Sequence, residues 1–265
     1  MERPVRAAAL AALLAALPCA AAASGALKVC SDPNNLPFSN RARQGFENEI
    51  AEKIAASLGE TVVYTWAEQG RNFLSQTLNA GRCDVVMGAP VGAGDVETTI
   101  AYCESGYVFV YRDGVAPISS LDDPRLRKLR IGVHLIGDDS TPPTEALARE
   151  GIVDNVRGYM IYGDYARPNP PSRLIEAVED GEIDVAAVWG PFGGYFARRS
   201  PVKLDVTSIE ATRRFAPLVF RFAIAMGVRK GDDELKRKLD AAIEKNRAAI
   251  GNILMRYGVP LVKGG

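Results

Sequence analysis

From residue 27 onward, short apolar runs alternate with stretches whose apolar positions recur every three or four residues. Residues 27–30 form a compact apolar run that gives way to the turn-rich SDPNNLPFS of residues 31–39. Residues 46–58 carry Phe46, Ile50, Ile54, Ala55 and Leu58 at helical spacing, with Gly59 placed as a C-cap. Residues 61–66 (TVVYTW) are β-branched and aromatic and predict a strand. Residues 73–80 read as a second helix stopped by Gly81, and residues 84–87 (DVVM) as a buried strand ending at Gly88. This βαβαβ order implies a parallel sheet covered by helices. Such sheets bind ligands beyond the carboxyl ends of their strands. Those ends carry Ser31 to Asn35, Trp66, and Gly88-Ala89-Pro90.

The plan then repeats. Residues 107–111 (YVFVY) predict a strand broken by Asp113-Gly114, and residues 129–133 (LRIGV) a strand resembling the first. HLIGDDSTPP follows, then a helix over 144–149, a strand over 160–162, a helix over 173–179 and a buried strand over 183–188 ending in Trp189-Gly190-Pro191. Gly81-x-x-Asp84-Val85 matches Gly181-x-x-Asp184-Val185, so two units stand in register. Residues 215–226 read as a further strand and 232–257 as one closing helix, with Asp233 and Glu234 complementing its dipole. The chain is expected to build one lobe from 24–112 plus 215–265 and a second from 113–214. Two strands would join them as a hinge, with a groove between.

Residues 1–23 stand apart from this pattern. Arg3 and Arg6 precede an Ala/Leu stretch too short to span a bilayer, and small residues follow, the order of a cleavable secretory signal peptide. The 265 residues hold 32 basic and 32 acidic side chains. That balance argues against nucleic acid as a partner, and no later stretch is apolar enough for membrane insertion. Loss of the signal leaves Cys30, Cys83 and Cys103, hence one intrachain disulfide at most. If residue 83 continues the line of the strand ending at Gly88, it lies roughly 13 Å below the level of Cys30 at ~3.3 Å per residue. A bridge needs Cα atoms within about 7 Å. Cys30–Cys103 is therefore the expected pair.

The order of elements resembles the periplasmic solute-binding proteins of ABC importers, in the amino-acid-binding class. A closer likeness covers nearly the whole exported chain. VCSDPNNLPFSN, GFENEIAEKIAASLG, TLNAGRCDVVMG, RIGVHLIGDD and DVAAVWGPFGGYFA resemble the MxaJ/XoxJ-type accessory proteins found with PQQ-dependent methanol dehydrogenases and their cytochrome. The resemblance implies a two-lobed, type II periplasmic-binding-protein fold. It also implies a periplasmic role in assisting or activating the dehydrogenase, in its calcium or its lanthanide form.

An amino-acid receptor must neutralise a buried carboxylate and a buried ammonium. In that class the arginine follows the glycine ending the third strand, but Gly88 to Glu97 holds no Arg or Lys and two acids. The amine-binding acid would follow the equivalent strand of the second lobe, where Trp189-Gly190-Pro191-Phe192 stands. The strand ends instead offer Asp32, Asn34, Asn35, Phe38, Trp66, Gly88, Pro90, Thr141, Trp189, Gly190, Pro191 and Tyr195. This set suits a small neutral ligand or a protein segment. Asp138-Asp139 are weak metal candidates. Two carboxylates are too few, and a solvated loop with Asp capping the next helix is the preferred reading. His134 is the sole histidine, no G-x-S-x-G or Walker loop occurs, and no cofactor or catalytic set is expected. An accessory protein is expected; an importer receptor for a small neutral solute is the alternative.

Overall fold

The structure, a computed structural model, describes residues 25–137, 139–162, 165–166 and 168–262. The expected signal peptide over 1–23 and Asp138 lie outside the described residues.

Strand β1 (Gly25–Ser31) opens the chain and runs into a small hairpin of β2 (Asn34–Asn35) and β3 (Ser39–Asn40). Helix α1 (Phe46–Ser57) follows. Asn48 Oδ1 accepts the Gly45 N–H at 3.1 Å and fixes its start. Gly45 is required there because a Cβ would stand 1.9 Å from the Phe38 carbonyl oxygen. β4 (Glu60–Trp66), the helical turn α2 (Phe73–Gln76), β5 (Val85–Pro90) and β6 (Glu97–Thr98) complete the first half. β1 pairs in parallel with β4 and β5, as the βαβαβ reading requires. The helix expected over 73–80 ends early because Thr77 leaves helical geometry at φ −120°, ψ −86°.

β7 (Cys103–Arg112) crosses to the second half. There follow β8 (Ile131–Ile136), β9 (Asp139–Ser140), α3 (Pro142–Arg149), β10 (Val156–Met160), α4 (Arg173–Glu179), β11 (Val185–Trp189), α5 (Gly190–Ala197) and β12 (Leu204–Ser208). β8 lies parallel between β10 and β11, repeating the arrangement of β1. The two G-x-x-D turns are built alike. Gly81 and Gly181 both have φ +70°, and Asp84 and Asp184 each donate a backbone N–H at 2.8 Å, to Lys28 in β1 and to Arg130 just before β8. β10 begins four residues before the strand expected over 160–162. It is an edge strand with Arg157 and Gly158 exposed, so it lacks a dense apolar run.

β13 (Arg221–Val228) returns to the first half, and α6 (Asp233–Lys245) and α7 (Arg247–Arg256) pack there with α1. The single closing helix is thus two, broken at Asn246, whose side chain donates to the Ala242 carbonyl. β7 changes partners along its length. Cys103 to Gly106 pair with Ile224 to Arg221 of β13, while Tyr107 to Tyr111 pair with β11. The result is one curled sheet in the order β10-β8-β11-β7-β13-β5-β1-β4, with a core on each side of the crossing.

The disulfide joins Cys30 to Cys83, with Cα atoms 5.6 Å apart, and Cys103 is a buried free thiol. The expected Cys30–Cys103 pair is therefore wrong. β5 starts only at Val85, so Cys83 does not extend its line. It sits in the preceding turn, buried against Cys30 among Leu78, Val86 and Val96.

Candidate functional site

The two halves enclose a cavity of about 260 Å³ at the carboxyl ends of the strands. The hairpin after β1 supplies Asn35 and Phe38, and the first turn of α1 supplies Phe46 and Glu47. The end of β5 gives Gly88 and Pro90. The crossing strands and the residue before them give Tyr102, Cys103, Tyr107 and Phe222. From the second half come His134, Thr141, Tyr162, Trp189, Pro191 and Phe192.

One carboxyl group belongs to this lining. Glu47 accepts the Tyr102 hydroxyl at 2.7 Å, and Tyr102 in turn accepts the Gly88 N–H at 3.1 Å. Burial pushes the Glu47 carboxyl up to about 7, against the lowering effect of the Tyr102 hydrogen bond. Gly88, at φ +76°, leaves the room: a Cβ there would stand 2.9 Å from Glu47 Oε1. The Tyr102 phenol is held well above its usual range by burial and by Glu47. The Cys103 thiol is pushed up to about 12, chiefly by burial. The His134 and Phe192 rings meet in a T-shaped arrangement at 5.1 Å, and burial drives His134 down to about 4, so it is neutral. No Lys or Arg lies among the described residues that line it.

The rings form two groups. Trp189 meets Tyr107 at 5.4 Å and Phe222 at 5.7 Å, both edge-on. Phe38 meets Phe192 of the opposite half at 5.0 Å. Polar contacts close the mouth. Tyr165 donates its hydroxyl to Asp32 Oδ2 at 2.5 Å, and that oxygen also accepts the Gln69 N–H at 2.8 Å. The Asn169 N–H donates to Asn34 Oδ1 at 2.8 Å.

Of the residues expected from sequence, Asn35, Phe38, Gly88, Pro90, Thr141, Trp189 and Pro191 line the cavity. Asp32 and Asn34 instead tie the halves together at its mouth. Trp66 is elsewhere: its ring stacks on Tyr64 at 4.6 Å, with the Arg41 guanidinium 5.9 Å above. Gly190 packs on the crossing strand, where a Cβ would meet the Gly106 carbonyl at 2.5 Å. Tyr195 stacks on Tyr257 of the first half at 5.8 Å beneath Arg199. Asp138 and the Asp139 side chain lie outside the described residues. The residue at the N-cap position of α3 is Thr141, not an aspartate. No group of three or more potential metal ligands occurs among the described residues.

Sequence reasoning passed over Glu47, Tyr102, His134, Tyr162 and Phe192 as cleft residues. Glu47 is an acid in the first turn of a helix, a common place for one. The available signal was its place beside Phe46, on the face that must be buried.

The match to the family described as bacterial extracellular solute-binding proteins, family 3, spans residues 27–258. The chain is similar to Protein MoxJ of Methylorubrum extorquens, with 31% identity over 251 residues, 90% of this chain and 82% of that protein. Among solved structures it is similar to the periplasmic binding protein XoxJ from Methylobacterium extorquens, at 33% identity and a TM-score of 0.75, covering 90% of this chain and all of that one. It is also similar to MxaJ from Methlophaga aminisulfidivorans, at 26% identity and a TM-score of 0.79, covering 89% of this chain and all of that one.

Proposed function

This chain belongs to the bacterial extracellular solute-binding proteins of family 3, as an MxaJ/XoxJ-type member, and from that premise we propose that it is a periplasmic, non-catalytic accessory protein of a PQQ-dependent methanol dehydrogenase. The reading takes the dehydrogenase, with its cytochrome, as the partner. One observation carries it: among the described residues, the cavity lining holds no Arg or Lys to receive an α-carboxylate. A buried carboxylate without its arginine forfeits about 2–5 kcal/mol. The place of the amine-binding acid is taken by the start of α5, where Trp189 and Pro191 face the cavity. A transport receptor for amino acids is thereby disfavoured, while the two-lobed frame remains.

The frame is proposed to divide where β7 exchanges partners, between Gly106 and Tyr107, and where β13 begins. That boundary lies earlier in β7 than the sequence pattern places it. Capture experiments test the functional reading. The full chain, immobilised and exposed to periplasmic extract of methanol-grown cells, should retain the dehydrogenase. Retention of importer components without dehydrogenase would refute it.

A further inference from the structure

Residues lining the cleft carry acceptors without donors. Asn35 is 4% exposed and His134 2%. Asn35 Oδ1 and His134 Nδ1 have no hydrogen-bond partner in the protein. His134 Nε2 stands 3.2 Å from the Pro171 carbonyl oxygen, which can only accept, so Nε2 holds the proton and Nδ1 is a bare lone pair. Glu47 adds a carboxyl whose Oε1 accepts from Tyr102 and whose Oε2 accepts from none of the described residues. Tyr107, Trp189 and Phe222 add ring surface to the same lining.

Acceptors, a carboxyl and aromatic faces, with no Lys or Arg among the described lining residues, complement a positive charge borne by N–H donors on an apolar body. We propose that this cleft binds a small organic ammonium ion lacking a carboxylate, its N–H groups directed to Glu47 and its apolar part against Tyr107, Trp189 and Phe222. An amino acid is rejected because its carboxylate finds no partner. A neutral alcohol of the same shape leaves the excess of acceptors unanswered. The inference stands apart from the dehydrogenase reading, since the chain can hold a cation whether or not it docks on an enzyme.

Binding carries a proton balance. The Glu47 carboxyl, pushed up to about 7 by burial, gives its proton to the buffer as the ammonium ion pairs with the carboxylate left behind. The groups facing Glu47 do not titrate with it. Tyr64 from β4 is raised to about 12, Cys103 of β7 to about 12, and Tyr102 and Tyr162 are held well above their usual range, chiefly by burial. His134, across the cavity, is already neutral above about 4.

Calorimetry of the full chain at pH 6 with benzylammonium chloride, benzyl alcohol and phenylglycine tests the proposal. Benzylammonium should bind at least about tenfold more tightly than the alcohol, and phenylglycine should bind weakest. The heat should differ between two buffers of unlike ionisation enthalpy, reporting proton release. Glu47→Gln should lose both the preference for the cation and the proton release while unfolding cooperatively. Equal binding of alcohol and ammonium, binding without proton release, or no binding of benzylammonium would each overturn it, and all three are read on the wild-type chain.

Discussion

The Tyr165 hydroxyl stands 2.5 Å from Asp32 Oδ2, and this hydrogen bond reaches from the second half of the chain to the first across the mouth of the cleft. Asp32 is 1% exposed and also accepts backbone N–H groups from Gln69 and Asn34. The tie therefore ends on a carboxylate held rigidly by its own loop. Burial and the neighbouring Asp32 keep the Tyr165 phenol protonated, and so a donor.

Replacing Tyr165 with Phe removes that donor and leaves the carboxylate in place. The closed arrangement should lose about 1–2 kcal/mol. Hydrogen exchange at the Gln69 amide, which shares the same oxygen, should speed up about tenfold, and small-angle scattering should report a more open particle. An unchanged exchange rate would mean that the halves are held by the Phe38–Phe192 contact instead.

The disulfide spans a sequence separation of 53 residues. Cys83→Ser should cost about 4 kcal/mol by loop-closure entropy. Cys103→Ala, which alters a free thiol, should cost about 1 kcal/mol. A non-reducing peptide map should link Cys30 to Cys83, and denaturant titrations should rank the two variants in that order.

Glu47 makes stability depend on pH in a defined direction. Its folded value of about 7 lies above its ordinary 4.5, so the penalty of keeping it protonated is absent below pH 4.5 and grows until pH 7. Glu47→Gln should therefore gain stability relative to wild type as pH rises through that window, by about 3 kcal/mol at pH 7.5. Urea titrations at pH 4.5 and 7.5 read the difference. A constant offset between the two proteins would contradict the burial of this carboxyl.

His134 acts with the opposite sign. Its folded value of about 4 lies below its ordinary 6.5, so the stability it allows is complete above pH 6.5 and is lost as pH falls towards 4. His134→Gln should flatten that acid limb by about 3 kcal/mol. The same urea titrations, carried to pH 4, measure it.

Much of this architecture was legible in the chain itself. The apolar runs at 84–87 and 183–188 and the helical spacing at 46–58 locate β5, β11 and α1, because each is buried on a predictable face. Elements whose register depends on distant partners were not legible. β10 is an edge strand with no apolar run, and the Cys30–Cys83 bridge depends on a turn that carries residue 83 beneath the sheet. For the site, the strand-end rule located Asn35, Gly88 and Trp189. It misplaced Trp66, because a side chain at the last position of an edge strand can face outward, and here it stacks on Tyr64. Glu47 escaped because an acid in a helix's first turn is also what the helix dipole favours at an exposed start, and that masks its place on the buried face of α1 with Ile50 and Ala51.

The proposed role is that of a receptor-like frame that serves a partner enzyme rather than an amino acid. Sedimentation of the purified chain with purified PQQ-dependent methanol dehydrogenase tests this most directly. A saturable complex, undisturbed by an excess of mixed amino acids, is the predicted result. Absence of any complex, together with tight binding of an amino acid by the chain alone, would contradict it.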